Sequence, residues 1–391
     1  MSDYRTKNRL ILLGIEGTPG SEETLTPATN AIMVENPQPS PNFEVLQTNE
    51  AGGSLDGRGP IVGGGNFGMT FDAFLKGAGT PGEAPEYGPA LRGCAMAETL
   101  TASDVTSTAQ TGAAGEITLD AGDGASADDA YRGMVISITG GTGSGQVRVI
   151  SGFTNSSKIA TVYPEFDTVP DATSEYTIHA NALYRPASEN LENVTINGYD
   201  IHASGGQALL RKIVGAAGTF SMDITTRQIG RLSFNFTGIL PSNPENVANP
   251  DQPVFDQTRP RPFIGAQAFL GGKPVKFRSF SLDIGAEVQQ SDDPGATYGY
   301  DRAGVTSRTV TGQINPQLTL LSNRNVFADF TAGTARGLWL SWGSQPGNRV
   351  SVYLPEIVYT GADPADTDGY NAEQVPFEST GFDQGAFICV Y

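Results

Sequence analysis

A chain of 391 residues can build one large or two moderate domains, and a charged content of only 17% excludes a disordered acidic tail. Its formal charge of −18 argues against affinity for a nucleic acid backbone, because phosphate binding requires clustered Lys and Arg. It does not exclude a passage that nucleic acid crosses without adhering. Two distant cysteines, Cys94 and Cys389, exclude a disulfide framework and argue against a structural zinc site.

The first 66 residues show little periodicity. Residues 10–15 favour a strand, and Gly- and Pro-rich turn pieces follow it. Two interpretations stay open, because long loops are usually mobile or functional: a flexible segment, or an arm that becomes ordered on a neighbouring subunit. The start is too polar for a secretory signal, and no stretch reaches the ~20 apolar residues of a membrane helix. Because the two cysteines form no disulfide framework, we expect a protein made in a reducing cytoplasm.

Strands with period-two alternation dominate the remaining chain. The clearest are residues 218–224 and 231–238, in which Phe, Met, Ile and Leu alternate with Thr, Ser, Asp and Asn. Such alternation gives each strand one buried apolar face and one wet polar face. The many short strands and the 49 glycines and 25 prolines favour an all-β fold. Further strands are predicted at residues 66–75, 275–284, 307–314, 337–342, 350–354 and 387–391.

Two helices are predicted. Residues 85–97 place Leu91, Cys94 and Ala95 on one face, with Pro89 near the start. A second helix is predicted at residues 317–330, with four buried positions: Leu320, Leu321, Phe327 and Phe330.

Residues 101–182 differ from the flanking chain, being rich in Ala, Gly, Ser, Thr and Asp. They contain four short strand patterns, at 117–119, 134–138, 146–150 and 159–162. The pattern predicts a small inserted β domain whose two ends lie close together, as tolerated insertions require.

Motifs that could carry chemistry are weak. Residues 140–146 (GGTGSGQ) lack the Lys that a phosphate loop needs and predict a hairpin turn. The two histidines, His179 and His202, lie in no nucleophile or metal signature, so we expect neither an enzyme nor a cofactor. Trp339 and Trp342 favour core packing, with a sugar-binding platform as the alternative. Two acidic clusters lack EF-hand spacing and are interpreted as solvated loops: Asp120, Asp123, Asp128 and Asp129, and Asp363, Asp366 and Asp368.

Several segments together resemble one family. The opening RLILLGIEGTPGSEETLTPATNAIMVENPQPSP, the stretch FGMTFDAFLKGAGTPGEAPEYGPALRGCAMAET and the hairpin GTFSMDITTRQIGRLSFNFTGI are similar to the tail tube proteins of long-tailed, non-contractile bacteriophages. The resemblance covers roughly residues 1–100 and 183–391. Residues 101–182 fall outside it and resemble a small β-module of phage virion proteins.

The resemblance implies a mainly β fold: two packed antiparallel sheets, a tail-tube β-sandwich or barrel, with one flanking helix and a small inserted β domain. Residues 1–100 and 183–391 would form the tube domain, and residues 101–182 an inserted domain projecting outward. Such subunits form homo-hexameric rings in which strands of neighbours pair, and the rings stack into a hollow tube through which DNA passes without specific binding. The implied partners are the tail terminator, tape measure and distal tail proteins, and the implied location is the virion tail.

The alternation and the resemblance together predict site residues. Polar side chains of the paired strands would line the lumen: Thr70, Asp72, Ser221, Asp223, Ser233 and Asn235. The loop at residues 47–65 and the N-terminal arm would contact the next ring through Arg9, Glu50, Asp56 and Arg58. Two other classes stay open, a surface or secreted carbohydrate-binding β-sandwich and a head decoration or capsid protein.

Overall fold

A computed structural model of the chain describes residues 4–51, 56, 58–122 and 124–391. In these ranges the protein is mainly β. The strands in chain order are β1 Tyr4–Ile15, β2 Ala31–Ile32, β3 Glu35–Leu46, β4 Ile61–Phe74, β5 Met96–Thr101, β6 Val105–Thr108, β7 Thr111–Ala113, β8 Glu116–Thr118, β9 Val135–Gly140, β10 Val147–Thr154, β11 Ile159–Tyr163, β12 Glu175–Ile178, β13 Asn181–Pro186, β14 Val194–His202, β15 Gln207–Thr225, β16 Arg231–Ile239, β17 Glu245–Ala248, β18 Gln267–Leu270, β19 Lys273–Pro274, β20 Phe277–Asp283, β21 Ala286–Asp292, β22 Tyr300–Arg308, β23 Thr311–Pro316, β24 Arg336–Trp342, β25 Val350–Tyr359, β26 Asp363–Thr367, β27 Tyr370–Ser379 and β28 Phe387–Val390. The helices are α1 Pro27–Asn30, α2 Gly88–Arg92 and α3 Val326–Ala332.

One antiparallel layer, which we call sheet I, has the strand order β3-β4-β16-β15-β20-β23-β27. A second layer, sheet II, has the order β5-β13-β28-β25-β24-β18. β27 also pairs with β25 and so joins the two layers at one edge. The first half of β15 extends beyond sheet I and pairs with β14 and β17, and β14 pairs with β1. The described strands form open sheets and no closed barrel.

The main core lies between sheets I and II. Alternate residues of β4, β15 and β16 bring phenylalanines together, and the rings of Phe71 on β4 and Phe234 on β16 are 5.3 Å apart. From sheet II, Leu340 and Val352 belong to the same buried cluster. Each such side chain contributes about 1.5–3 kcal/mol of burial free energy, so the apolar face that the alternation predicts stabilises this core.

Sheet II is covered on both faces, which the sequence did not predict. Leu338 and Leu340 face the main core, whereas Trp339 between them faces a second buried cluster. The same division separates Val352 from Tyr353. A strand buried on both faces shows a continuous apolar run without alternation, as in the segments GLWLSW and FICV.

The second cluster lies between sheet II and a third layer, sheet III, with the order β6-β12-β9-β10-β11-β8-β7. Sheet III is built entirely from residues within 101–182. Thr101 and Asn181 are opposite each other in the β5–β13 pair, so the chain leaves and re-enters sheet II at neighbouring points. Tyr163 ties the layers together, because its hydroxyl donates to the Gly337 carbonyl and accepts from the N–H of Gly272.

The helices differ from the predictions. α2 spans only Gly88–Arg92, because β5 begins at Met96 and continues into the pairing with β13. The predicted helix at residues 317–330 is wrong in position: α3 spans Val326–Ala332, where Asn325 caps the N-terminus and Gly333 adopts a left-handed conformation after its end. Three of the four positions predicted to be buried are exposed instead: Leu320, Leu321 and Phe327.

The first 66 residues contain more regular structure than expected. β1 extends over Tyr4–Ile15, and β3 and β4 form a long hairpin. The prolines of β3 argued against a strand there, since proline is tolerated in a sheet only at an edge or a bulge.

Residues 307–314, predicted as one strand, belong to two strands, β22 and β23, because Thr309 and Val310 turn the chain between them.

A buried ionic network holds the irregular chain that follows β4. Lys76 Nζ lies 2.9 Å from Glu86 and 3.3 Å from the Asp256 carboxylate, and donates to the Asp256 carbonyl at 3.0 Å. The Lys76 side chain is only 5% exposed. Burial raises the pKa of Glu86, and the nearby Lys76 ammonium partly offsets this effect. The network connects the chain after β4, the chain before α2 and the chain between β17 and β18, which are not paired with one another as strands.

Candidate functional site: the polar face of sheet I

The six side chains predicted to line a lumen all lie on the side of sheet I that faces away from the main core. Phe220 is opposite Phe234 and Ser221 is opposite Ser233, so the apolar and polar residues of β15 and β16 match in register. Asn235 is opposite Thr70 on the other side of β16. The register therefore gathers the predicted residues into one polar patch across three strands: Thr70, Asp72, Ser221, Asp223, Ser233 and Asn235.

An open cavity of about 430 Å³ lies over this patch. Its lining includes Asn36 and Gln38 of β3 at one side and Asp283 of β20 at the other. The polar surface therefore extends over five strands and is concave across β4, β16 and β15. Sequence reasoning had recognised the strand that carries Asp283 but had not assigned this residue to the site. Gln38 was missed because the proline-rich strand was not predicted.

Charge on the patch is acidic and only partly balanced. Arg231 Nη2 lies 2.7 Å from Glu35, and Nη1 lies 3.4 Å from Asp72. The Ser233 hydroxyl donates to Asp72 at 2.6 Å. In the described chain, Asp223 and Asp283 have no cationic partner. Asp72 is thus a hydrogen-bonded group that shares the Arg231 cation with Glu35, whereas Asp223 and Asp283 carry negative charge without a cation beside them.

The first edge of sheet I, strand β3, cannot donate backbone hydrogen bonds to another strand over residues 37–41. Gly65, opposite Phe43, donates its N–H to Tyr298 and so points away from β3. Pair type alternates along an antiparallel ladder, so in the regular ladder between Gln38 and Phe43 the odd-numbered residues direct their backbone groups outward. Two of these, Pro39 and Pro41, have no N–H, and Pro37, at the register shift beside Gln38, has none either. The edge therefore presents carbonyl acceptors only.

The four residues predicted to contact a neighbouring ring are placed in two regions. Arg9 lies on β1 and is engaged within the subunit, because it pairs with Asp200 at 2.8 Å and donates to the Pro37 carbonyl. Glu50 and Arg58 form an exposed ion pair of 2.8 Å in the segment that joins β3 to β4, and Asp56 of the same segment is exposed. The predicted loop is shorter than expected, since residues 61–65 belong to β4, and its residues 52–55 and 57 lie outside the described residues.

The remaining motifs serve local structure. Ser137 Oγ and His179 Nε2 are 2.7 Å apart, and burial lowers the pKa of His179. No carboxylate in the described part of the chain is hydrogen-bonded to either imidazole, and Asp104 accepts the N–H of Ala180 instead. Trp339 and Trp342 are both buried, so neither indole offers a platform to a sugar.

The acidic clusters also bind backbone groups. Asp128 accepts the N–H of Asn155, Asp129 that of Phe153, and Asp366 that of Gly369. Asp123 lies outside the described residues. Among the residues that are described, no three of His, Cys, Asp and Glu are grouped closely enough to hold a metal ion. In the same ranges, no helix has the length and apolar character needed to span a bilayer.

In the described residues, a layered β-sandwich carries one broad polar face and one edge blocked by prolines, which is the architecture of a structural building block. The family model of the phage tail tube protein matches residues 6–379, and the chain belongs to that family. It is therefore a structural component of a phage tail, and the resemblance seen in the sequence is confirmed. A search of the curated proteins found no match to this chain.

Proposed function

We propose that this tail protein assembles into hexameric rings that stack into a hollow tube, and that DNA leaves the virion through the tube. The observation that carries the proposal is the contiguous polar patch on sheet I, where Asp223 and Asp283 have no cationic partner among the described residues. Hydroxyl, amide and carboxylate groups offer phosphate no cluster of cations, so DNA would pass without specific binding. Screening over about 10 Å confines repulsion to close approach.

The order of the layers supports an outward position for sheet III. Sheet II separates sheet III from the main core, and the polar face of sheet I lies on the far side of that core. A subunit whose sheet I faces a channel therefore carries residues 101–182 on its outside, where they do not obstruct the channel. We assign residues 1–100 and 183–391 to the tube domain on this basis.

The donor-free edge of β3 limits how neighbours in a ring can meet. An unprotected edge strand is a template for uncontrolled pairing, and prolines are one natural protection. A neighbouring strand would receive no hydrogen bond from Pro37, Pro39 or Pro41, so a continuous ladder across this boundary is interrupted. Side-chain donors can reach the free carbonyls, as Arg9 already does at Pro37.

The remaining parts of the proposal follow from the family. The β3–β4 hairpin and the N-terminal strand would contact the next ring, and the tail terminator, tape measure and distal tail proteins would be the other partners. The subunit would be made in the host cytoplasm and function without catalysis. The carbohydrate-binding alternative loses its platform because both tryptophans are buried.

Cysteine labelling of assembled tubes tests the channel assignment. Cys94 and Cys389 are buried, and burial raises the pKa of Cys389 to about 12, so the native thiols give little background. Asn235→Cys should react with a bulky polymer maleimide in free subunits and be protected in tubes. Glu165→Cys, exposed on the sheet III side, should react in both states.

Electron microscopy of the same samples tests the ring. We expect end-on views with six-fold symmetry and a central channel. Equal labelling of Asn235→Cys in tubes and in free subunits would overturn the channel assignment, and another rotational symmetry would overturn the hexamer.

A further inference from the structure

The loop after β23, the start of α3 and the first residue of β27 expose apolar side chains. These side chains, which we call the basal patch, are between 51% and 74% exposed: Leu318, Leu320, Leu321, Phe327 and Tyr370. Large apolar side chains grouped on a surface mark an interaction site more often than scattered ones do.

The basal patch is held by defined contacts. Leu318 donates its N–H to the Asn371 carbonyl at 2.9 Å, and Gln317 pairs with Ala372. Arg324 Nη2 donates to the Gln317 carbonyl and closes the loop. Its exposed side chains are therefore presented by an ordered backbone.

The β3–β4 hairpin exposes four further apolar side chains, which we call the hairpin patch. Val45 is opposite Val62 on one face of the hairpin, and Leu46 is opposite Ile61 on the other face, where the hairpin leaves sheet I. They are 51–66% exposed. An isolated hairpin with such a surface gains stability only when another surface covers it.

The two patches lie at opposite ends of the strands of sheet I. β4 runs away from the hairpin patch, from Ile61 to Phe74. From β4, sheet I continues through β16, β15, β20 and β23 to β27. All five of these pairings are antiparallel, so the strand direction reverses five times between β4 and β27. β27 therefore begins, at Tyr370, at the end of the sheet that is farthest from Ile61.

The geometry points to a head-to-tail contact: we propose that the hairpin patch of one copy docks on the basal patch of the next copy along the tube. Two different patches at opposite ends form a heterologous contact, and repetition of such a contact builds a filament. Charge supports the match, since exposed Glu44 adjoins the hairpin patch and exposed Lys276 adjoins the basal patch through its carbonyl bond to Gln317. The inference rests on the proposed stacking of rings and names the surface that receives the hairpin.

Two single variants and their mixture test this contact. Leu321→Asp introduces a charge into the basal patch, and Val62→Asp introduces one into the hairpin patch. Both native side chains are more than 60% exposed, so each variant should still fold. Each variant alone should form single rings and no tubes. A mixture of the two should form pairs of rings, because one intact patch of each kind remains. Val169→Asp, the same change on the sheet III side, should form tubes like the unmodified protein.

The outcomes separate this inference from the ring proposal. Tubes formed by Leu321→Asp or Val62→Asp would overturn the contact and leave the tube itself intact. Single rings without ring pairs in the mixture would also overturn it. If the unmodified protein forms neither rings nor tubes, the proposed function fails first. A fluorescence melt of each variant confirms that its subunit is folded.

Discussion

Replacing Lys76 by methionine should destabilise the subunit by about 3–5 kcal/mol, because it leaves the buried carboxylates of Glu86 and Asp256 without a cation. The side chains of Lys76, Glu86 and Asp256 are only 5%, 10% and 20% exposed, so water compensates little for the lost cation. Methionine fills a similar volume, which separates the loss of charge from the loss of packing.

The stability lost in the Lys76→Met variant should depend on pH. Folding raises the pKa of Glu86, so this group favours the folded state when protonated, and its contribution is lost as pH rises through the folded pKa. Removing Lys76 deletes the interactions that lower this pKa and shifts it further upward. The variant should therefore lose less stability at pH 5 than at pH 8.

Urea unfolding of unassembled subunits measures the effect, with the buried Trp339 and Trp342 as fluorescent probes. Exposed Lys273→Met is the matched control and should change stability by less than about 0.5 kcal/mol. Adding Glu86→Gln to the Lys76 variant should recover part of the loss. A Lys76→Met variant as stable as the control at pH 8, or a loss that does not vary with pH, would refute the reasoning.

Two further predictions concern sheet I. Phe234→Ala should cost about 3–5 kcal/mol in urea unfolding, whereas Asn235→Ala on the opposite face should cost under about 0.5 kcal/mol; similar losses would contradict the face assignment. Replacing Pro39 and Pro41 by valine restores two outward N–H donors and should increase irregular aggregation of free subunits in light scattering. Ser40→Val, whose N–H already faces β4, is the control, and equal aggregation of the two variants would show that the edge is protected by other means.

The face of each strand in sheet I could be predicted from the sequence. Phe220, Met222 and Ile224 alternate with polar residues, and a strand with one covered face must follow this period. The predicted polar residues consequently lie on one face, and the family resemblance of the flanking segments is confirmed by the family model. Asp283 could have been found by the same rule.

The outer positions could not be predicted in the same way. Leu320, Leu321 and Phe327 have helical spacing, which usually indicates burial, yet the chain provides no layer to cover them. The prolines of β3 argue against a strand in isolation, and only the knowledge that β3 is an edge makes them compatible with one.

The sequence by itself determined the class of the fold, the polar and apolar faces of the alternating strands in sheet I and the family. Those properties follow from local periodicity and from motif order along the chain. Tertiary structure alone decided that sheet II is buried on both faces, that Arg231 lies between Glu35 and Asp72 and that two apolar patches lie at opposite ends of sheet I. The reason is physical: burial, ion pairing and surface position depend on which distant segments meet, and the pattern of one strand carries no information about the layer placed against it.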